Sequence, residues 1–325
     1  MDACSARCAL CLALAAAGGC NLEQRLFDAV EKEDLGEVKR LLAAGADVNA
    51  ERPGRISVLH AAARHDRADI VAALIVRGAA ADRFDNYGCT PLHNAAAEGH
   101  RAVAEMLIDG DWRVDAYDER GERLTPLHCA AYHGKDDVVK LLLSRGASVR
   151  AETHKGQTPL LMALHPEAGL HHMPDRAERV ANIVDALLAA AAGVNEADDE
   201  GNTPLYYAAR VGNKQAVKLL LARRADVEAA NADGVTALHA AVARGFVDVV
   251  EWLIAAGAKV SAADGLGRTP LHWAAVRDNA KLVKLLLEEG ADVRAKDDKG
   301  KTPLQLAREH KAEKVIPILW KSANL

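Results

Sequence analysis

The sequence predicts an all-α solenoid of about nine helix-turn-helix units that are linked by β-hairpin fingers. Three observations support this prediction. A tetrapeptide similar to Thr-Pro-Leu-His recurs along the chain, its interval is nearly constant, and the same helix and turn signals follow each copy. A period of about 33 residues is typical of proteins whose units stack and bury their apolar faces only against their neighbours. We therefore expect an extended binding surface and not a catalytic cleft.

Eight copies of the tetrapeptide divide the chain. They begin at Ser57, Thr90, Thr125, Thr158, Thr203, Thr236, Thr269 and Thr302. Five of the seven intervals are 33 residues long, whereas the interval from Thr90 is 35 and that from Thr158 is 45. The two long intervals indicate insertions into an otherwise regular array.

One repeat shows why each unit should form a helical hairpin. Thr125 can cap a helix with its hydroxyl, and Pro126 suits the first helical turn, where a missing N–H is not needed. Gly134 allows a turn into a second helix, which Gly146 ends. The apolar stripe of that second helix comprises Val138, Val139, Leu141, Leu142 and Leu143. An extended excursion from Val149 then leads through a tight turn to the next copy.

The segments T-P-L-H-x-A-A and L-L-x-x-G-A-x-V make this pattern resemble the ankyrin repeat. The resemblance extends from Leu22 to Trp320, and Gly45 to Ala50 is a close match to the end of a unit. It implies a non-enzymatic protein that binds another protein through a concave face, which is formed by the fingertips and by the first helix of each pair. The alternative is a regulatory or host-directed effector of the same family in the cytosol.

The terminal units, residues 21–50 and 302–325, differ from the others and are expected to cap the array. The first contains both helical patterns without the tetrapeptide, and the last ends without a finger. Pro317 falls within the last helical pattern, where it removes a backbone donor, so we expect a frayed helix there. Trp320 is expected to cover the terminal apolar face.

The two insertions fall at different places in their units. Two additional residues lengthen the finger around Glu119 to Leu124. Twelve more, residues 165–176, separate the two helices of the fifth pair and include His165, His171 and His172. A solvated loop bounded by prolines is the main interpretation of this insert, because its spacing matches no metal-ligand template. A metal-binding or enzymatic role is the alternative.

Three second helices lack the usual glycine at their ends, where Asp111, Ala191 and Arg224 stand instead. A left-handed cap is unfavourable for a residue with a side chain, so we expect looser or differently capped junctions there.

Residues 1–20 do not fit the repeat and form a separate segment. An uncharged run from Cys8 to Gly19 follows Arg7, which is typical of a signal-peptide core. The small residues that lead to Cys20 resemble the lipobox of bacterial lipoproteins, in which the cysteine is lipidated. Asp2 departs from that pattern, and an Ala-rich leader on a cytoplasmic protein is the alternative. Localisation thus stays open between an exported envelope lipoprotein and a cytoplasmic protein.

Composition limits the classes of partner. The chain has 41 Lys and Arg against 46 Asp and Glu, a net charge of −5, so it lacks the basic excess of nucleic-acid-binding proteins. No apolar run reaches the roughly 20 residues that a membrane-spanning helix needs. We expect no cofactor, because phosphate-binding, dinucleotide-binding and hydrolase motifs are all missing from the sequence. We also expect a monomer.

Five histidines share the last position of the tetrapeptide. They are His60, His93, His128, His239 and His272. Neighbouring copies should lie about 10 Å apart, the spacing of packed helices, which is too far to share a metal ion. We expect them to make structural hydrogen bonds between neighbouring units. Cys129 follows one of them and is expected to be a half-buried thiol and not a nucleophile.

The resemblance also implies which side chains meet a partner. Tyr, Trp and Arg dominate interface hot spots, and several lie at fingertips and on first helices. The expected contacts are Arg83, Phe84, Asn86, Tyr87, Asn94, Tyr117, Arg120, Arg123, Tyr132, His133, Lys155, Tyr207, Arg210, Arg268, Trp273 and Arg277. For Tyr207 and Trp273 the alternative is that the ring fills a gap between repeats.

Overall fold

The computed structural model describes residues 22–110, 113–118, 121–166 and 176–324. These residues form helical hairpins in succession, which confirms the all-α fold. The first helices of the nine pairs are α1 (Leu22–Glu31), α3 (Val58–Ala63), α5 (Pro91–Glu98), α7 (Pro126–Tyr132), α9 (Pro159–Leu164), α11 (Pro204–Val211), α13 (Ala237–Arg244), α15 (Pro270–Val276) and α17 (Pro303–Glu309). The second helices are α2 (Leu35–Ala43), α4 (Ala68–Val76), α6 (Arg101–Asp109), α8 (Asp136–Ser144), α10 (Arg176–Ala189), α12 (Lys214–Ala222), α14 (Val247–Ala255), α16 (Ala280–Glu288) and α18 (Ile316–Ala323).

The first helices begin where the tetrapeptide provides both a cap and a suitable backbone. Thr203, for example, has extended dihedrals (φ −85°, ψ 164°), and its hydroxyl accepts a hydrogen bond from the backbone N–H of Tyr206. Pro204 then occupies the first turn. The same arrangement at Thr158 and Thr302 shows that the sequence repeat sets the helix starts.

Stacking follows from small residues on the first helices and branched residues on the second. In α13, Leu238 and Ala241 are buried, and in α14 Val249, Val250 and Leu253 are fully buried. First helices pack on neighbouring first helices, as α11 does on α13 and α13 on α15, and second helices pack likewise. Alanine at the first-helix contacts lets the backbones approach closely, so each pair buries its apolar face against the next.

The chain forms two compact units. The N-terminal unit contains residues up to 129 together with 144–147, and the C-terminal unit contains 130–143 and 148–325. Each unit has its own stack of helical hairpins and its own row of fingers.

The fingers between the helix pairs are tight turns with few strands. Among the described residues, only the first finger is a two-stranded sheet, in which β1 (Glu51–Arg52) pairs antiparallel with β2 (Ile56–Ser57). In the others a side-chain oxygen closes the turn, from an aspartate in most fingers and from Thr153 or Asn231 in two of them. Asp264 Oδ1 accepts hydrogen bonds from the N–H groups of Leu266 (2.9 Å) and Arg268 (2.8 Å), which closes the turn. The fingers therefore contain few strands, which is consistent with the predicted all-α repeat fold.

Neighbouring fingertips are joined by backbone hydrogen bonds. In the C-terminal unit the Asp199 N–H donates to the Lys155 carbonyl (3.0 Å), and the Gly265 N–H donates to the Asp233 carbonyl (2.6 Å). Gly234 permits that second approach, because a Cβ there would lie 2.6 Å from the Gly265 nitrogen. These bonds hold successive fingertips in a row.

The C-terminal cap differs from the sequence prediction. Helix α18 begins at Ile316, so Pro317 lies in its first turn, where a proline breaks no internal hydrogen bond, and the predicted fraying is wrong. Trp320 is 54% exposed, and the buried side chains that face the stack are Val315 and Leu319. Trp320 therefore does not cover the terminal face as expected.

Two of the three glycine-free helix ends keep the left-handed backbone. Ala191 has φ 65° and Arg224 has φ 63°. The helices therefore end with the usual left-handed residue, at the cost of mild backbone strain. Asp111 lies outside the described residues, as do the leader 1–20 with Cys20 and most of the insert 165–176, including His171 and His172.

Candidate partner-binding surface

In the N-terminal unit, two tyrosines project from neighbouring fingers. Tyr87 is 75% exposed and Tyr117 is 49% exposed. The Arg123 guanidinium lies 5.5 Å from the centroid of the Tyr117 ring, a cation–π contact that orients both side chains. Tyrosine is one of the residue types that dominate interface hot spots, so these tips are candidate contacts.

The turn beneath Tyr87 explains its exposure. Asp85 is buried, and its Oδ1 accepts hydrogen bonds from the backbone N–H groups of Tyr87 (2.8 Å) and Cys89 (2.9 Å). The exposed Asn86 donates its backbone N–H to the Gly54 carbonyl (2.7 Å). The turn is thus fixed from both sides, and the Tyr87 ring points away from the stack.

The lengthened finger uses the same device with a wider loop. Asp118 is buried and accepts hydrogen bonds from the N–H groups of Glu122 (3.0 Å) and Leu124 (2.6 Å). A Cβ on Gly121 would lie 2.0 Å from Asp118 Oδ2, so this position requires glycine. Arg123 adopts a left-handed backbone (φ 61°) that presents its side chain to Tyr117. Arg120 lies outside the described residues.

The remaining expected contacts of the N-terminal unit are less exposed. Arg83 and Phe84 are half-buried, and Phe84 lines a cavity of about 140 Å³ with Asp82, Leu92 and other residues of the second and third repeats. Asn94 is half-buried on α5. These residues are thus less accessible to a partner than the two tyrosines.

In the C-terminal unit, Tyr132 and His133 stand at the end of α7. Their rings meet edge to face with centroids 5.2 Å apart, and both are half-buried. Lys155 is exposed at its fingertip. These three residues lie at surface positions, as the sequence predicts.

Tyr207 does not belong to the surface. It is only 4% exposed, and its hydroxyl donates to Asp198 Oδ2 (2.7 Å). Burial and this hydrogen bond raise the pKa of the Tyr207 phenol. The ring fills the gap between repeats, so the expectation that it contacts a partner is corrected in favour of the alternative.

Trp273 occupies the equivalent repeat position but remains half-buried at the edge of open space. Its indole Nε1–H donates to Asp264 Oδ2 (2.9 Å), and its ring meets His239 edge to face at 6.0 Å. Together with Arg268 and Arg277 it lines a cavity of about 180 Å³. The indole is therefore held in place while one side stays accessible.

Trp273 also lines a larger cavity of about 320 Å³. Its lining includes Tyr206 and Arg210 of α11, Arg244 of α13, and Arg277, which directly follows α15. We call this the arginine groove: Tyr206, Arg210, Arg244, Trp273 and Arg277. Sequence reasoning missed Arg244, although it follows Thr236 at the same distance as Arg277 follows Thr269.

The tetrapeptide histidines are structural, as predicted. In His93, Nδ1 accepts a hydrogen bond from the Thr90 N–H (3.1 Å), so the other nitrogen carries the proton. Nε2–H then donates to the carbonyl of Leu124 in the next repeat (3.0 Å). His60, His239 and His272 bridge neighbouring repeats in the same way. Burial lowers the pKa of these four histidines, which keeps the rings neutral.

The cysteines and the carboxylates provide no metal or nucleophile site in the part of the chain that the structure covers. No group of three or more His, Cys, Asp or Glu residues in the described ranges could hold a metal ion. Cys89 and Cys129 are half-buried free thiols. Burial raises the pKa of the Cys89 thiol to about 11 and also raises the pKa of Cys129, which is unlike an activated nucleophile.

None of the helices in the described ranges has the length and apolar character needed to span a bilayer.

Two family models match the chain. The ankyrin-repeats model matches residues 26–118, 176–264 and 258–325, and the single ankyrin-repeat model matches 122–154. The chain belongs to the ankyrin-repeat family. Together the matches cover most of the sequence between the leader and the last residue, including both compact units.

Curated relatives share the repeats but are much longer proteins. The human palmitoyltransferase ZDHHC13 is 31% identical over 187 residues, which are 55% of this chain and 27% of that protein. Mouse inversin is 32% identical over 179 residues, or 54% of this chain and 16% of inversin. A Caenorhabditis elegans homologue of the transient receptor potential cation channel subfamily A member 1 is 33% identical over 139 residues. These residues are 39% of this chain and 11% of that protein. The chain thus spans less than a third of each relative's length.

Proposed function

We propose that this protein is a non-catalytic scaffold that binds a partner protein through its fingertips and first helices. Its ankyrin repeats and its similarity to repeat segments of unrelated proteins indicate a protein-interaction module. The observation that supports this particular surface best is the pair of fingertip tyrosines, of which Tyr87 is 75% exposed on a turn fixed by Asp85. A rigid aromatic side chain binds with little loss of conformational entropy, so it is a suitable interface anchor.

The test compares partner capture by two matched variants. Tyr87→Ala with Tyr132→Ala removes one aromatic contact from each compact unit. The control, Val76→Ala with Trp320→Ala, removes two exposed apolar side chains (83% and 54% exposed) from the second helices α4 and α18. Chemical cross-linking in an extract of the source cells, followed by mass spectrometry, identifies what each protein captures.

The expected result is that the wild type and the control capture the same proteins and that the tyrosine variant captures them at least tenfold less, since losing a hot-spot aromatic costs about 2 kcal/mol or more. Far-UV circular dichroism checks that all variants are folded. Equal capture by the tyrosine variant would show that the surface is wrongly assigned.

We also propose that the scaffold is exported and anchored by lipid at Cys20, and that it binds its partner as a monomer. The support is the apolar run from Cys8 to Gly19 with the small residues before Cys20. Mass spectrometry of the native N-terminus should find a lipidated Cys20. An N-terminus that still carries Met1 or Asp2 would instead favour a cytosolic scaffold or a host-directed effector. Light scattering checks the monomer.

A further inference from the structure

The arginine groove contains three cations that the fold itself does not use. Within the described residues, the guanidinium groups of Arg210, Arg244 and Arg277 make no hydrogen bond or ion pair. Elsewhere in the C-terminal unit, Arg223 pairs with Asp185 (3.1 Å) and Lys259 with Glu228 (3.4 Å). Three adjacent repeats thus present unpaired arginines to one cavity.

The groove also contains a fixed apolar anchor. Trp273 is held by Asp264 and packs against His239, so little entropy remains to be lost when a side chain binds against it. Tyr206 lines the same cavity, and its ring meets Tyr207 edge to face at 5.6 Å. Asp264 is buried, and both of its oxygens accept hydrogen bonds from the indole and from the turn.

We propose that the arginine groove binds an extended acidic peptide segment of the partner protein, with an apolar side chain of that segment against Trp273. This inference rests on the proposed scaffold function and specifies the chemistry of its partner. Carboxylates pair well with the planar guanidinium group, which donates two parallel hydrogen bonds. Arg–Trp–Tyr clusters are also the composition that gives interfaces most of their binding energy.

A peptide fits the groove better than a nucleic acid. The lining of the cavity also includes Asp233, and the whole chain has a net charge of −5. A nucleic acid has one phosphate per nucleotide and would face that carboxylate, whereas a peptide can place acidic residues next to the arginines only. Three helices spaced about 10 Å apart span about 20 Å, which about six extended residues cover.

The probe is a displayed library of random peptides of about ten residues, selected on the full-length protein. Enriched peptides are synthesised with a fluorophore, and their Kd is measured by anisotropy. The groove variant combines Arg210→Gln, Arg244→Gln and Arg277→Gln. The control variant combines Lys281→Gln, Lys284→Gln and Lys321→Gln, which lie exposed on α16 and α18 and remove the same charge.

The expected peptides are rich in Asp and Glu with one aromatic or aliphatic residue. The groove variant should bind them roughly 30-fold more weakly, because each surface ion pair contributes about 0.5 to 1 kcal/mol. The control variant should bind like the wild type, and binding should weaken as the salt concentration rises.

Several results would overturn the proposal. The proposal fails if no peptide is selected, if the selected peptides are basic or neutral, or if the groove variant binds the selected peptides as tightly as the wild type. It also fails if the wild type binds a single-stranded oligonucleotide more tightly than the peptides and the groove variant loses that binding. Partner capture separates this inference from the scaffold function. If the groove variant captures the same proteins as the wild type, the acidic-peptide inference fails while the scaffold function stands. If the wild type captures no protein at all, the scaffold function fails.

Discussion

Replacing His93 by Gln should make the protein less sensitive to acid. His93 is 1% exposed, accepts a hydrogen bond from the Thr90 N–H and donates to the Leu124 carbonyl. Burial lowers the pKa of His93 to about 4, against 6.5 for a free histidine. The ring is therefore neutral in the folded protein and protonates readily only after unfolding.

The sign and size of the effect follow from this difference in pKa. Between about pH 6.5 and 4 the unfolded chain binds a proton at His93 that the folded chain does not, so the free energy of unfolding falls as the pH falls. The contribution of the neutral His93 ring to the free energy of unfolding is complete above about pH 6.5 and is lost by about pH 4. A shift of this size corresponds to about 3 kcal/mol over the whole range and about 2 kcal/mol by pH 5.

Glutamine suits the test because the chain already uses it at this position. Gln305 Oε1 accepts a hydrogen bond from the Thr302 N–H (2.8 Å), so the cap at Thr90 should survive in His93→Gln. The bond to Leu124 is lost, which should cost about 1 kcal/mol at neutral pH. His310→Gln removes a histidine from an exposed position and is the control.

Urea unfolding followed by far-UV circular dichroism at about pH 7.5 and pH 5 measures the effect. At the higher pH the His93 variant should be about 1 kcal/mol less stable than the wild type, and at the lower pH this deficit should vanish or reverse. The His310 variant should follow the wild type. If His93→Gln and the wild type lose the same stability between the two pH values, the buried neutral ring is not a source of acid sensitivity.

Three further predictions concern the turns and a thiol. Gly234→Ala and Gly300→Ala place alanine at nearly equal φ (73° and 71°), but only the Cβ at position 234 meets a neighbouring backbone. Urea unfolding should therefore show that Gly234→Ala costs clearly more than the roughly 1 kcal/mol of left-handed strain expected for Gly300→Ala. Equal losses in the two variants would argue against the fingertip contacts. Asp264→Ala should lower the free energy of unfolding by about 2 to 4 kcal/mol, because two turn N–H groups and an indole lose their acceptor. The control Asp298→Ala, at the exposed tip, should change the free energy of unfolding by less than about 1 kcal/mol. The Cys89 thiol is tested in a variant whose other cysteines are replaced by Ser. At pH 8 it should react with a disulfide reagent about a hundredfold more slowly in the folded than in the unfolded chain, because burial raises its pKa to about 11. Equal rates would contradict its burial.

The sequence was most informative where structure is set locally. Thr203 and Pro204 fix a helix start within one turn, so their spacing predicted the helices well. Pro317 misled because the helical pattern indicates an interior residue, whereas Pro317 marks the first turn of α18, which begins at Ile316. The extended pattern located the fingers, but it did not show that a side chain such as Asp264 closes the turn.

For the surface, the repeat position predicted location but not accessibility. Tyr207 and Trp273 occupy equivalent positions, yet one ring is buried and the other lines two cavities. The difference depends on how neighbouring repeats pack around each ring. Arg244 could have been found by comparing repeats, but the lack of an ion pair at its guanidinium group is visible only in three dimensions.

Hydroxyl-radical footprinting of the cross-linked, captured complex tests the proposed surface most directly. Side-chain oxidation is compared with and without the partner at the fingertip tyrosines Tyr87 and Tyr117, at Trp273, and at Trp320 on α18. The proposed surface requires strong protection of the fingertip and groove residues, with Trp320 oxidised equally in both states. Protection confined to Trp320 and the second helices would contradict it.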